Sequence, residues 1–217
     1  MTTPLTRPRC AQCLRALRGC ICALVQPVCT DVQVLILQHP MELHEAKGTA
    51  RLLHLSLGNR SHLEVGEAFA PERLQVLLHA PWRTGDTARQ ALLLYPSNDA
   101  VGTASVPPIN AIRHTARELR LVVIDGTWRK SRKMVYANPL LQALPRLALT
   151  DVLPAQYRIR KSQRDGQLST MEATTIALAQ LHAWPEESPD LGHLHRMFAR
   201  FMDHHEKLHS PPSPLHS

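Results

Sequence analysis

Four β-favouring apolar residues in a row, Leu121 to Ile124, run straight into an Asp-Gly turn and then into a segment crowded with cations. A strand that is apolar at consecutive rather than alternate positions needs cover on both faces, which points to a parallel sheet sandwiched between helices. In open sheets of that kind, ligands collect outside the carboxyl ends of the strands. Asp125 stands at such an end. Behind it come Gly126, which lets backbone approach a ligand, Thr127, placed to cap a helix, and Trp128, a flat apolar surface. The same letters also describe an ordinary turn and helix cap, so the neighbouring segments have to decide.

Strand and helix patterns alternate along the chain. Asp31 to Gln38 reads as the first core strand, ended by His39 and Pro40 because proline lacks the ladder donor. Glu45 to Leu57 has helical spacing and a stop at Gly58. Ser61 to Val65 reads as a short strand, Pro71 to Ala80 as a helix opened by proline, and Ala91 to Tyr95 as another buried strand closed by Pro96. The loop from Pro96 to Ile109 leaves a strand's carboxyl end, where a ligand can rest on backbone groups; it also reads as a plain connection. In the last third, Pro145 to Thr150 predicts a strand. Tyr157 to Arg164 alternates charge with apolar residues, and Ser169 with Glu172 makes a capping box opening a helix through Leu181. A further amphipathic helix spans Leu191 to Leu208. The expectation is an α/β fold, mostly parallel sheet with flanking helices, over residues 31–209, with a disordered tail at 210–217.

Residues 1–30 form a separate module in this reading. Cys10, Cys13, Cys20 and Cys22 fall in a C-x2-C-x6-C-x-C set, and four thiolates suit tetrahedral zinc, so a small structural knuckle is expected; reduced free thiols on an arm are the other possibility. Its Arg7, Arg9, Arg15 and Arg18 would then be fixed beside the core and available to phosphates. Cys29 lies outside the set and reads as a small buried hydrophobe.

A formal charge of +7, to which thirteen histidines can only add, suits a polyanionic partner, although a solvated basic face gives the same count. No stretch approaches the roughly 20 apolar residues that cross a bilayer, and the amino end has no apolar signal core, so a cytoplasmic protein is expected. No obligate protein partner is evident. The absence of a G-x-G-x-x-G after the first strand disfavours a Rossmann methyltransferase pocket, and the absence of a Gly-rich Lys-Ser/Thr loop disfavours a nucleotidase.

Taken together, the Cys10 to Cys22 set, His39-Pro40 with Glu42, Leu94 to Pro96, the Asp125 to Trp128 turn, Tyr157 to Lys161 and Ser169 to Ala173 resemble, in order and spacing, the DTW-domain family of tRNA-uridine aminocarboxypropyltransferases. The resemblance implies transfer of the 3-amino-3-carboxypropyl group of S-adenosylmethionine to a uridine in tRNA, on a SPOUT-like fold with a C-terminal knot. It implies Asp125 as the catalytic base or the group that orients the uracil imide. It implies a cofactor pocket drawn from Leu94, Tyr95, Pro96, Ser97, Gly126, Thr127, Trp128, Ser169, Thr170 and Glu172, with the helix-start amides after Ser169 holding the carboxylate of the cofactor. For tRNA it implies His39, Arg51, Arg129, Lys130, Arg132, Lys133, Arg158, Arg160 and Lys161. Two other readings stay open: an RNA methyltransferase of the same broad fold, and a zinc-bearing RNA-binding module without catalysis.

Overall fold

The structure is a computed structural model and describes residues 8–96, 116–149 and 168–209. Five parallel strands form one sheet: β1 (Gln33–Gln38), β2 (Ser61–Val65), β3 (Gln90–Leu94), β4 (Leu119–Asp125) and β5 (Arg146–Leu147), in the order β2-β1-β4-β3-β5. The helices are α1 (Ala50–Leu57), α2 (Pro71–His79), α3 (Trp128–Ala137), a short α4 (Pro139–Gln142), α5 (Thr170–His182) and α6 (Pro189–His209). The expected parallel α/β architecture is therefore present.

The consecutive apolar runs are explained by cover on both faces. Val34, Ile36, Leu92, Leu121 and Val123 turn toward α1, α5, α6 and the cysteine module, while Leu35, Leu37, Ala91, Leu93 and Val122 turn toward α2, α3 and α4. Period-two alternation is still there, but both phases are apolar because both are buried. Ile21, between Cys20 and Cys22, and Leu24 and Val28, just after them, belong to the first of these cores, beside Met197 and Phe201.

β1 and β4 lie side by side at the centre, and the chain leaves them in opposite directions, to β2 on one flank and β5 on the other. Such a switch point opens a crevice at the carboxyl ends of the two strands. In register, Gln38 and Asp125 are the paired residues there.

Several sequence expectations are corrected. The helix expected from Glu45 starts at Ala50, because Arg15 takes the carbonyls of Ala46 and Gly48, both at 2.7 Å, and Gly48 contributes little helix propensity of its own. The strand at Pro145 to Thr150 is reduced to Arg146–Leu147. Cys29 is exposed rather than buried; its amide donates to Asp190 Oδ1 at 2.8 Å, which holds it at the surface. The basic segment at 157–164 and the tail at 210–217 lie outside the described residues.

The sequence reading did not single out Arg120. Its side chain, fully buried in β4, donates to Gln33 Oε1 and to the Leu77 and Ala80 carbonyls and lies 3.9 Å from the Trp82 ring centroid. Burial pulls its pKa down to about 10, and the hydrogen bonds keep this cation affordable inside the fold.

Candidate active site

A cavity of about 790 Å³ opens at the carboxyl ends of the strands. Its described lining comes from four places: Leu94, Tyr95 and Pro96 at the end of β3; Val123, Ile124, Gly126, Thr127, Trp128 and Ser131 around the end of β4 and the start of α3; Leu147, Ala148 and Leu149 at the end of β5; and Leu168, Ser169, Thr170 and Ala173 at the start of α5. Of the expected cofactor residues, Leu94, Tyr95, Pro96, Gly126, Thr127, Trp128, Ser169 and Thr170 meet here. Ser97 lies outside the described residues, as do Arg158, Arg160 and Lys161.

Asp125 is 5% exposed and does not itself line this cavity, but it lies directly behind the wall, bonded to Thr170, which does. Gln38 Nε2 donates to its Oδ2 at 2.8 Å and Thr170 Oγ1 donates to its Oδ1 at 2.5 Å. Burial, the largest influence, raises the Asp125 pKa above the ordinary carboxylate value, with Glu42 adding to the rise. The two hydrogen bonds and Lys130 oppose it. The neighbouring cations do little because they are engaged elsewhere: Lys130 Nζ lies 2.7 Å from Glu42 Oε1, and Lys133 Nζ 2.8 Å from Glu67 Oε1.

Gly126 is required by a close approach. A Cβ there would stand 3.2 Å from Lys130 Cβ, tighter than ordinary contact, so a side chain would press on the first turn of α3. Thr127 occupies the N-cap position of α3, but its side chain makes no capping bond; its carbonyl accepts from the Ser131 amide instead. Trp128 is 49% exposed, with one ring face stacked on Tyr95 at 5.3 Å and 12°. Arg146 in turn lies 5.3 Å from the Tyr95 ring, so a buried cation supports this aromatic pair from below.

Ser169 and Glu172 complete the expected capping box: Ser169 Oγ accepts from the Glu172 amide at 3.2 Å, and Glu172 Oε2 accepts from the Ser169 amide at 2.8 Å. The Met171 amide donates to Thr49 Oγ1 at 3.1 Å. The expectation that these helix-start amides hold a ligand carboxylate is therefore corrected, since the second and third donors of α5 already have protein acceptors. Glu172 likewise serves the cap.

His39 is buried, with Nδ1 accepting from the Met41 amide and Nε2 donating to Glu67 Oε2 at 2.8 Å. That fixes the tautomer and ties β1 to the segment after β2. Arg129, Arg132 and Lys133 are exposed on α3, and Arg51 is half-buried on α1. Gln38, which nothing in the sequence reading marked, proves to be a direct partner of Asp125. The signal was available, for it is the polar residue ending an otherwise apolar run, in line with the polar end of β4.

The four cysteines come together as their spacing suggested. Their sulfurs all lie within 4.8 Å of one another, with Cys10 to Cys22 at 3.6 Å and Cys13 to Cys20 at 3.7 Å. Zn–S bonds of about 2.3 Å in a tetrahedron place sulfurs roughly 3.8 Å apart, so the set fits a zinc ion. Backbone amides of Cys13 and Gln12 hold the Cys10 thiol down to about 6, whereas burial and the neighbouring thiols push Cys22 up to about 12. A divalent cation would relieve that mutual repulsion.

Fold and site together define an α/β protein with a cavity at the carboxyl ends of β3, β4 and β5, a buried carboxylate bonded to its wall, and a four-cysteine module packed on the same fold. The chain belongs to the DTW domain family, whose domain matches residues 7–205. It is 34% identical over 190 residues to tRNA-uridine aminocarboxypropyltransferase 2 of Drosophila melanogaster, covering 84% of this chain and 70% of the fly protein. Against the protein of the same name from Macaca fascicularis the identity is 27% over 178 residues, 81% of this chain but 57% of the relative. Against tRNA-uridine aminocarboxypropyltransferase A of Arabidopsis thaliana it is 27% over 205 residues, 83% of this chain and 75% of the relative. The chain thus spans little more than half the length of the macaque protein. No solved structure matches it.

Proposed function

We propose that this chain transfers the 3-amino-3-carboxypropyl group of S-adenosylmethionine to N3 of a uridine in tRNA, releasing methylthioadenosine. The observation that carries the reading is Asp125: a buried carboxylate with a raised pKa at the carboxyl end of β4, hydrogen-bonded to Thr170 in the wall of a cavity of about 790 Å³, in a chain whose relatives bear that activity in their names.

The sulfonium supplies the electrophilic carbon, and which of its three carbons reacts is decided by which one faces the acceptor in line. In the transfer the bond from sulfur to the aminocarboxypropyl carbon breaks, its electron pair stays on sulfur as a thioether, and a new bond forms to uracil N3. The imide proton goes to the Asp125 carboxylate. Gln38 and Thr170 hold that carboxylate at a fixed angle, and its raised pKa makes it a better acceptor than an exposed aspartate. The open face of Trp128, backed by Tyr95, offers the adenine a stacking platform. Exposed Arg129 and Arg132 on α3 lie where tRNA phosphates can reach them, and Arg158, Arg160 and Lys161 belong to the same proposal. Zinc on the four cysteines is structural in this reading, its coordination closed to substrate.

A SPOUT-like relationship with a C-terminal knot and a cytoplasmic setting belong to the same proposal. They are supported by the parallel sheet with its cavity at the carboxyl edge and, among the described residues, by the lack of any helix long and apolar enough to cross a membrane. The test is to incubate pure protein with unmodified tRNA and S-adenosylmethionine and to identify the nucleoside and co-product by mass spectrometry. Aminocarboxypropyluridine with methylthioadenosine supports the reading. S-adenosylhomocysteine would make the protein a methyltransferase, and tRNA binding with no product would leave a binding module.

A further inference from the structure

The chain has only three tryptophans, three tyrosines and three phenylalanines. Among the described residues the exposed aromatic side chains are Trp128 and Tyr136, the latter 59% exposed, and both stand on α3. With Arg132 between them they occupy positions i, i+4 and i+8, one continuous face of the helix, and Arg129 and Lys133 run beside that face. Ser131, Met134 and Val135 take the buried side, and α3 contains no acidic residue.

The two aromatics are placed differently. Trp128 lines the larger cavity and has one ring face on Tyr95. Tyr136 lies two turns further on, about 12 Å along the axis, and its side chain makes no hydrogen bond or ring contact among the described residues. Its backbone is nevertheless held in place. Met134 and Val135 are fully buried, Gln142 Nε2 donates to the Tyr136 carbonyl at 3.0 Å, and Asn138 Nδ2 donates to the Met134 and Glu67 carbonyls at 2.6 and 2.9 Å. A flat ring on a fixed base loses little freedom when another ring stacks on it. The charge alongside favours a polyanion. Lys133 pairs with Glu67, whereas Arg129 has no acidic partner among the described residues.

The chemistry of the transfer narrows that polyanion to a single strand. N3 lies on the pairing edge of uracil, so a uridine that reacts there has left its base pair, and a neighbouring base outside a duplex has a face free to stack. Building on the proposed transfer, we infer that the RNA strand carrying the reacting uridine leaves the cavity along α3, with an unpaired base near that uridine stacked on Tyr136 and the intervening phosphates on Arg129 and Arg132. Donor and acceptor then meet in the one cavity of about 790 Å³. Tyr136 selects an unpaired neighbourhood for the target and is tolerant of which base supplies the stack.

The experiment compares wild type with Tyr136→Ala, Tyr136→Phe and Arg129→Ala. It reads KM and kcat with tRNA, the Kd for S-adenosylmethionine, Tm, and the salt dependence of tRNA binding. Tyr136→Ala should raise KM for tRNA about 5- to 100-fold, the range expected for one base on one aromatic ring, and change kcat at saturating tRNA much less. Its salt slope should match wild type, because no charge is lost. Tyr136→Phe keeps the ring and should return KM close to wild type. Arg129→Ala should make the slope of log affinity against log salt shallower by about 0.7, the value for one phosphate of a single strand. All three should keep the Tm and cofactor affinity of wild type. A single-stranded oligonucleotide containing the uridine should compete with tRNA for wild type better than the same strand made abasic on both sides of that uridine, and the two should compete equally for Tyr136→Ala. Unchanged KM in Tyr136→Ala, or an equal loss in Tyr136→Phe, with wild type still forming product, would overturn the inference alone. So would equal competition by the abasic strand against wild type. A wild type that forms no product removes the transferase reading itself.

Discussion

At the scale of one residue, Asp125 shows what position in the sequence tells and what it leaves open. Its place at the end of an apolar strand was legible, and with it the expectation that it faces a ligand. Its protonation was not. Arg129, Lys130, Arg132 and Lys133 in the next turn argue for a lowered pKa, yet Lys130 and Lys133 pair with Glu42 and Glu67, and burial wins. Those pairings join residues far apart in the chain, which no local pattern reports. The consequence for pH follows from the sign of the shift. A carboxyl whose folded pKa is raised favours its protonated form in the fold, so ionised Asp125 costs stability at neutral pH. That cost fades as pH falls through the folded pKa toward the ordinary 3.8. Asp125→Asn keeps the shape and removes the charge. It should melt above wild type at pH 7, with the gap closing as pH approaches 4, while turnover falls about 10²- to 10⁴-fold and tRNA binding survives. A variant that melts lower at pH 7 and keeps wild-type turnover would show that Asp125 is only a turn residue. Thr170→Val tests the other side of the balance. Loss of its hydrogen bond removes a stabiliser of the carboxylate, so the acidic limb of the kcat/KM profile should move to higher pH. A limb that stays in place would separate Thr170 from the titration.

At the scale of elements, the strands were easier to read than the helices between them. Pro40, Pro96 and the Asp-Gly pair each end a strand by removing a donor or turning the backbone, and these are local effects. The stretch from Glu45 to Thr49 looks helical by spacing but is held in turns by Arg15, more than 30 positions away in sequence. β5 shrank because only Leu93 and Leu94 pair with it. The capping box at Ser169 was read correctly, but its use was not: expected to leave amides for a ligand, it instead closes them and so fixes Thr170 beside Asp125. Ser169→Ala should therefore act twice. Losing the cap costs about 1 kcal/mol, seen as a fall in Tm on the order of 2–4 °C for a chain of this size. Freed from its cap, the first turn of α5 loosens and kcat falls as well. A drop in Tm with kcat intact would show that the placement of Thr170 does not depend on the cap.

At the scale of the molecule, the cysteine module is part of the body it adjoins. Ile21 is fully buried and shares a core with Met197 and Phe201, and Arg15 fastens the module to the Ala46 to Gly48 turn. The sequence marked the module by its cysteines and treated it as an appendage, since nothing local shows that the helix ending the described chain packs onto it. This geometry predicts an uneven response to loss of metal. Described residues lining the larger cavity all come from the strand ends and from α3 and α5, and none from the module, whereas Arg9, Arg15 and Arg18 of the module line a second groove, of about 330 Å³, against Glu42 and Arg51. The purified protein should carry one zinc per chain, and a chelator should remove it together with the tetrahedral site. Tm should then fall by several degrees, because Cys13 and Ile21 leave a shared core. Affinity for tRNA should fall much further than affinity for S-adenosylmethionine, measured by calorimetry on the same sample, because metal loss frees only the groove wall. Chelation that leaves tRNA binding untouched, or that weakens both ligands equally, would mean that the module neither shapes the groove nor stands apart from the cofactor cavity.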